Sequence, residues 1–510
     1  MGVRSILAVS ASCCFIAGTA TAQEMLFEEV SQGSGLDFPL APFAPGLAVG
    51  DYDRDGWYDV CITGIGHRRT PRIYRNMGAT RAAGDPWFVD VTNQVMPPDR
   101  EPGSVSIFGD LDNDGDLDLV TSRRFITPQH PDGDPDVVGI MYYENVGSRY
   151  VKGTSDPAIG WDPESSHGGL TLGDVDVDGD LDIVFVHNGG GNGVGGPGFY
   201  VRNDGLPNLV DATQDFGANL GQVTRYFSAV LADFNGDLAL DLHSSVDFFR
   251  DYHARNDGFG NFSHVTVEAG TTNLGSDMGM TVGDMDNDGD LDIFSTNINR
   301  GVLYVNNGDD TFQDEGHARG CASWDVGFGS MVGWGTTFAD FDNDRDLDLV
   351  FVSYGQTGHA FRNLGDGQFD RYTHSTGLQN ELRGHALVAF DYDRDGDEDL
   401  LVVRTNNMRP GLYENITERN GRHWLSVELE GTSSNRDGIG ARIELTTPDG
   451  VKLTRVITAG SSFKSGPPLS AHFGLGSSTR ARQIQVFWPS GKIQTLRGVA
   501  VDRLLQIVEP

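Results

Sequence analysis

One nine-residue acidic pattern recurs seven times along the chain, with starts 51 to 64 residues apart, so the fold must place seven near-equivalent units. The copies read DYDRDGWYD from Asp51, DLDNDGDLD from Asp110, DVDVDGDLD from Asp174, DFNGDLALD from Asp233, DMDNDGDLD from Asp284, DFDNDRDLD from Asp340 and DYDRDGDED from Asp391. Each is preceded by a short apolar or alternating run such as GLAVG or MTVG and followed by another such as LDIVFV, the pattern of two strands joined by the acidic loop. An aromatic and Asn segment comes next in every unit (IYRNMG, YYENVG, YVRNDG, HARNDG, YVNNGDD, FRNLGDG, LYENIT) and reads as a third strand entering a turn.

A fourth run follows in most units, as in FVDVTNQVM and FSHVTVEAG, and four strands per repeat make a propeller blade. The last unit lacks that run, whereas LFEEVSQGSGLDF, Leu26 to Phe38, matches it ahead of the first loop. The sequence therefore predicts an all-β protein, a seven-bladed β-propeller over 24–417 whose N-terminal strand closes the last blade and leaves no open edge.

Positions 1, 3, 5 and 9 of the loops carry an oxygen side chain in all seven copies, 27 Asp and one Asn among 28 positions. They are Asp51, Asp53, Asp55 and Asp59; Asp110, Asp112, Asp114 and Asp118; Asp174, Asp176, Asp178 and Asp182; Asp233, Asn235, Asp237 and Asp241; Asp284, Asp286, Asp288 and Asp292; Asp340, Asp342, Asp344 and Asp348; Asp391, Asp393, Asp395 and Asp399. A solvated charge run would not keep such a register. Carboxylates converging on a tight turn repel one another unless a hard cation joins them, and calcium accepts about six to eight oxygens at about 2.3 to 2.6 Å in a flexible shell. Position 7 would add its carbonyl, and position 9 is expected to be able to bind through both oxygens. Magnesium, which demands near-ideal octahedral geometry, fits less well. An EF-hand shares the opening D-x-D-x-D-G, but it needs Glu at position 12 and flanking helices. Glycine at position 6 permits the bend in Gly56, Gly115, Gly179, Gly289 and Gly396; the fourth loop has Leu238 there and the sixth Arg345, which points to altered or weaker sites. About seven structural calcium ions are expected.

Residues 24 to about 417 resemble the FG-GAP or VCBS repeat propellers, related to the propeller of integrin alpha chains, on the strength of the repeated D-x-D-x-D-G-x-x-D loops. That resemblance implies calcium ligands at the positions named above. From about Arg422 the period ends, and short strand-like runs such as WLSVELEG, ARIELTT and RQIQVFW suggest a small β-sandwich-like domain over 421–510. This segment resembles the ASPIC/UnbV domain, found beside such propellers in bacterial exported proteins and in cartilage acidic protein, through SNRDGIGARI from Ser434, AGSSF from Ala459, HFGLG from His472 and WPSG from Trp488. The resemblance implies an extracellular calcium-binding adhesion or interaction protein and no reaction.

Residues 1–22, with Arg4, the apolar run from Ile6 to Ala17 and the A-x-A of Ala20 and Ala22, read as a cleavable secretory signal, so the protein is expected to be secreted, periplasmic or at the cell surface. Cys13 and Cys14 would leave with it. Cys61 and Cys321 remain, too few for a disulfide framework, and Cys61 in YDVCITG reads as a small buried hydrophobe. No later run approaches the ~18 apolar residues that a membrane span needs. The net charge of -36 argues against nucleic-acid binding, since a surface this acidic repels phosphates. The loops, with 32 Asp and one Glu against three Arg, account for -33 + 3 = -30 of it.

No G-x-S-x-G elbow, H-E-x-x-H helix or phosphate loop occurs. Residues just before the inner strands, His167, Tyr226, Phe227, Asp277, Trp334, Arg383 and His385, are expected to ring the channel mouth opposite the calcium loops as a candidate ligand or glycan site. Asn261 and Asn415 open N-x-S/T triplets. The function expected from the sequence is a monomeric, calcium-loaded binding or adhesion module for an extracellular protein or glycan. The alternative is a carbohydrate-active lyase or hydrolase with its site at that mouth.

Overall fold

The computed structural model describes residues 25–510 apart from 39, 41–44, 66–69, 99, 101–102, 124–139, 154–165, 190–197, 215–224, 323–330, 355–356, 373–375, 379–381 and 405–408. The proposed signal, 1–22, lies outside the described residues. Among those described, no helix is long and apolar enough to cross a membrane.

Strands dominate the described residues, in seven successive sheets that each contain a four-stranded antiparallel run, the fourth with a further strand, Leu274–Ser276, beside its second. In each, the residue just before the acidic loop pairs with the loop's ninth residue: Gly50 with Asp59, Gly109 with Asp118, Gly173 with Asp182, Ala232 with Asp241, Gly283 with Asp292, Ala339 with Asp348 and Phe390 with Asp399. The acidic nonapeptide is therefore the connection between the first and second strands, in one register throughout. Phe27–Glu29 adds to the far side of the seventh sheet, Phe27 pairing with Asn415.

Apolar clusters lie between neighbouring sheets, as where Val184 and Val186 of the third meet Leu231 and Leu242 of the fourth. The packing is tight where the first strands approach each other. A Cβ on Gly169 would strike the backbone of Ser228 and Ala229, and one on Gly279 would strike Trp334 O, so these positions require glycine.

A ring of asparagines ties the sheets together. The third-strand Asn of each sheet is buried, and its Nδ2 donates to the carbonyl of the second loop residue of the preceding sheet. The bonds run Asn145 to Tyr52, Asn203 to Leu111, Asn256 to Val175, Asn306 to Phe234, Asn363 to Met285 and Asn415 to Phe341 at 2.7 to 2.8 Å. Asn76 bonds Tyr392 O at 2.8 Å, joining the first sheet to the seventh loop. A buried carbonyl left without a donor costs about 1 to 3 kcal/mol, so each Asn holds one contact that apolar packing cannot replace.

The C-terminal region folds as two facing sheets, one of Ser470–Gly474, Trp424–Glu430 and Arg503–Val508, the other of Lys452–Val456, Arg442–Thr446, Arg480–Phe487 and Ile493–Ala500. Their core, including Leu425, Ile443, Phe473 and Trp488, runs without a break into Ile107, Leu170 and Leu172 of the propeller. The two parts share one apolar interior.

Candidate metal centres

The local sequence explains the shape of each loop. Position 4 takes a left-handed backbone in every copy, with φ of 56 to 77° at Arg54, Asn113, Val177, Gly236, Asn287, Asn343 and Arg394, and position 6 does so too. Leu238 at φ 71° and Arg345 at φ 94° follow the glycine path at position 6 despite their side chains. The two departures seen in the sequence thus leave the backbone route intact.

The carboxylates hold the turn as well as facing inward. In the first loop Asp51 accepts from Asp55 N at 3.1 Å and Gly56 N at 2.7 Å, and Asp110, Asp174, Asp340 and Asp391 repeat the pattern. Position 9 does more than the sequence suggests. Its Oδ1 accepts from the backbone N–H of the third-strand Asn in all seven sheets, as in Asn76 to Asp59 at 2.7 Å. Its Oδ2 accepts from the second loop residue in six, the fourth loop leaving Asp241 Oδ2 without a donor. Both oxygens are thus engaged in stapling the turn, and a cation meets only their remaining lone pairs.

Position 3 is where donors run out. Asp53 Oδ1, Asp176 Oδ1 and Asp286 Oδ1 are buried without a hydrogen-bond partner, as are both oxygens of Asp284 at position 1 and both of Asp342, which arginines reach only as ion-pair partners. Ligand atoms of Asp51, Asp53 and Asp59 lie within 4.8 Å of one another, as do those of Asp110, Asp112 and Asp118, of Asp174, Asp176 and Asp178, of Asp284, Asp286 and Asp288, and of Asp340, Asp342 and Asp344. These Asp-rich clusters could hold a metal ion. Burial first, and neighbouring carboxylates after it, push Asp51 up to about 6, and Asp110 and Asp391 up to about 8. Orphaned oxygens, hard ligands and mutual repulsion are the conditions that a bound divalent cation relieves.

The channel is filled. Residues Ala459–Gly466 leave the C-terminal sheets and run between the first strands, touching all seven. Leu172 N donates to Ala459 O, Ser462 N to Met280 O and Leu47 N to Lys464 O at 2.5 to 3.0 Å. Thr336 N bonds Ser462 Oγ, Leu387 N bonds Ser465 Oγ and Lys464 Nζ bonds Ser104 Oγ. Phe463 packs on Phe227, Trp334 and His385 at ring separations of 5.9, 4.5 and 6.4 Å. Ser465–Gly466 even adds a short parallel strand to Leu47–Gly50.

Among the described residues, those expected to ring a mouth are divided between the plug and the sheets. Trp334 and His385 face the plug, and burial with Lys464 alongside lowers His385 to about 4. Tyr226 is in the apolar core between the third and fourth sheets. Asp277 is buried, bonded by Asn273 and Asn297 and facing Asp251; burial raises both carboxyls. Arg383 is exposed and bridges to Ser353, and His167 pairs with His187 through the backbone, its side chain lying outside the described residues. Asn415 is buried in the ring of asparagines, which its place in a glycosylation triplet does not reveal. Cys61 and Cys321 are buried and not joined in a disulfide.

Sequence reasoning missed the asparagines and the plug. The first were visible as an Asn in all seven third-strand runs; the second had no signal beyond AGSSF.

Comparison with known proteins agrees with this architecture. The model for FG-GAP-like repeats matches residues 51–121, 284–351 and 340–402, and the model described as ASPIC and UnbV matches 431–510. The chain carries FG-GAP-like repeats followed by an ASPIC/UnbV domain. Similar curated proteins are cartilage acidic protein 1 of Homo sapiens, 24% identical over 85% of this chain and 76% of its own, and that of Mus musculus, 25% identical over 85% and 78%. Among solved structures, an Agrocybe aegerita lectin recognising non-reducing terminal N-acetylglucosamine is 20% identical, covering 77% of this chain and 94% of its own, at a TM-score of 0.40. An exotype rhamnogalacturonan lyase is 15% identical over 85% and 76%, at 0.38. With scores this low, these likenesses say nothing about what the FG-GAP repeats of this chain bind.

Proposed function

We propose that this chain is an exported, calcium-loaded repeat propeller that serves as a binding or adhesion module for an extracellular protein or glycan, the calcium being structural. The observation that carries the calcium reading is the set of buried carboxylate oxygens in the loops with no donor. Repetition around the ring favours a structural over a catalytic ion, since each loop makes the same turn between two strands. Each independent site would add roughly 2.7 kcal/mol at a hundredfold excess of calcium over its dissociation constant. The binding role is supported by the FG-GAP-like repeats and by the similarity to cartilage acidic protein 1 across both parts. Export is supported by the signal-like residues 1–22.

The alternative, a carbohydrate-cleaving site at the channel mouth, requires ligand access to residues such as His385 and Trp334, which pack against Phe463. A screen of the mature chain against glycans and extracellular proteins, with millimolar calcium and after its removal, tests the reading. Calcium-dependent binding without cleavage is expected. Cleavage of a bound glycan that is abolished by His385→Ala would replace it with the enzyme reading, and identical melting with and without calcium would remove the calcium.

A further inference from the structure

We propose that the sixth acidic loop is neutralised by arginines rather than by a cation, and that it serves as the latch between the propeller and the C-terminal domain. The inference rests on the reading of the other loops as calcium sites and departs from it at one place. In the sixth loop position 3, Asp342, has a side chain that is only 1% exposed, and Arg422, from the segment entering the C-terminal domain, lies 2.8 Å from its Oδ1. Arg422 Nη1 also donates to the Asp342 carbonyl at 2.6 Å. Arg362, from the third strand, lies 3.4 Å from Asp342 Oδ2 and 3.4 Å from Asp344 Oδ2. Arg455, buried in the C-terminal sheets, lines the same interdomain cavity as Asp340.

Asp342 and Asp344 are thus paired with two guanidinium groups, and a third, that of Arg455, shares a cavity lining with Asp340. A dication entering beside three confined positive charges would be repelled, and it would have to displace Arg422 to reach the position 3 oxygens. Other loops differ in degree, the first, fifth and seventh each with one arginine on ligand carboxylates: Arg75, 37% exposed, on Asp53 and Asp55, Arg319, 16% exposed, on Asp286, and Arg419, 35% exposed, on Asp395.

The rest of the loop grips the C-terminal domain. Arg345, the residue that replaces glycine at position 6, donates to Leu475 O at 3.1 Å and Ser478 Oγ at 2.9 Å and pairs with Asp449 at 2.9 Å. Asn343 accepts from Gly476 N at 3.0 Å through its carbonyl, and its Oδ1 is 2.9 Å from His472 Nε2. Gly474 lies so close to Asp340 that a Cβ there would collide with the carboxylate. The left-handed arginine at position 6 thereby gains a reason: it gives up the glycine to reach across the interface.

The test counts calcium ions bound to the full mature chain by native mass spectrometry, at the lowest calcium concentration that saturates the wild type. Asp112→Asn, in the second loop, is expected to lose one ion, and Asp342→Asn is expected to keep the wild-type number while lowering Tm. The paired variant Arg362→Gln/Arg422→Gln is expected to gain one ion, and it decides the matter if Asp342→Asn does not fold. Loss of one ion by Asp342→Asn, or no gain when the two arginines are removed, overturns the proposal. A wild type that binds no calcium overturns the loop reading as a whole, which Asp112→Asn reports separately.

Discussion

At the scale of single residues, the acidic loops have opposite pH behaviour with and without a cation. In the calcium-free chain burial and then like charge raise the carboxyls, Asp51 to about 6, Asp174 to about 7 and Asp110 to about 8. A folded-state pKa raised above the unfolded value contributes stability below that unfolded value and loses it as pH rises through the folded one. The calcium-free protein should therefore lose stability as pH rises from about 4, where the groups ionise in the unfolded chain, and go on weakening until the folded values of about 6 to 8 are passed. A bound calcium ion would replace the protons and reverse the sign, because its affinity would grow as the carboxylates ionise. Thermal melts of the calcium-free chain at pH 5 and pH 8 are expected to differ by about 5 °C or more in favour of pH 5, and melts in millimolar calcium to favour pH 8. Equal slopes in the two conditions would show that the loops do not take up the ion.

At the scale of the sheet, the ring of asparagines carries what the loops alone do not. Asn203 Nδ2 donates to Leu111 O of the neighbouring loop at 2.8 Å and to Leu181 O of its own at 3.2 Å, with Asn203 fully buried. Asn203→Ala removes both donors and leaves two buried carbonyls unpaired, an expected loss of about 2 to 4 kcal/mol measured by denaturant unfolding. The equivalent change at Asn363, in a distant sheet, should add to it nearly in full. The sequence carried the hairpin register in plain form, because the acidic nonapeptide and its flanking apolar runs recur together, and the structure pairs position 9 with the residue before position 1 each time. It also showed an Asn at the end of each third strand, after Arg, Glu or, in the fifth, Val, but a polar residue before a turn reads as turn chemistry unless the neighbouring sheet is known. Position 9, read as a ligand, also accepts from backbone donors on a strand 14 to 27 residues away in the chain, as from Asn145 for Asp118, and no local pattern announces them.

At the scale of the whole molecule, the C-terminal domain is part of the propeller's interior and no loose appendage. The acidic loops predicted where cations could sit; nothing in AGSSFKSG predicted that this segment would enter the channel, since its fit depends on seven strands from distant parts of the chain. Gly460 enters at φ 90°, where a Cβ would run into Leu170 O, and Phe463 is 3% exposed among Phe227, Trp334 and His385. Because the apolar core is continuous from Phe473 to Leu172, the two parts should melt together, in a single calorimetric transition in calcium. Phe463→Ala leaves a cavity on the channel axis and is expected to cost about 3 to 5 kcal/mol, with the transition still single. Gly460→Ala tests a different link, since it strains the entry of the plug while keeping its aromatic tip. If the plug is what unites the two parts, this variant should split the transition into two and raise the fluorescence of a hydrophobic dye as Trp334 and Phe463 become accessible. A single unshifted transition in Gly460→Ala would mean that the shared core and the loop-end contacts, those of Arg345 and His472 among them, join the domains without the plug.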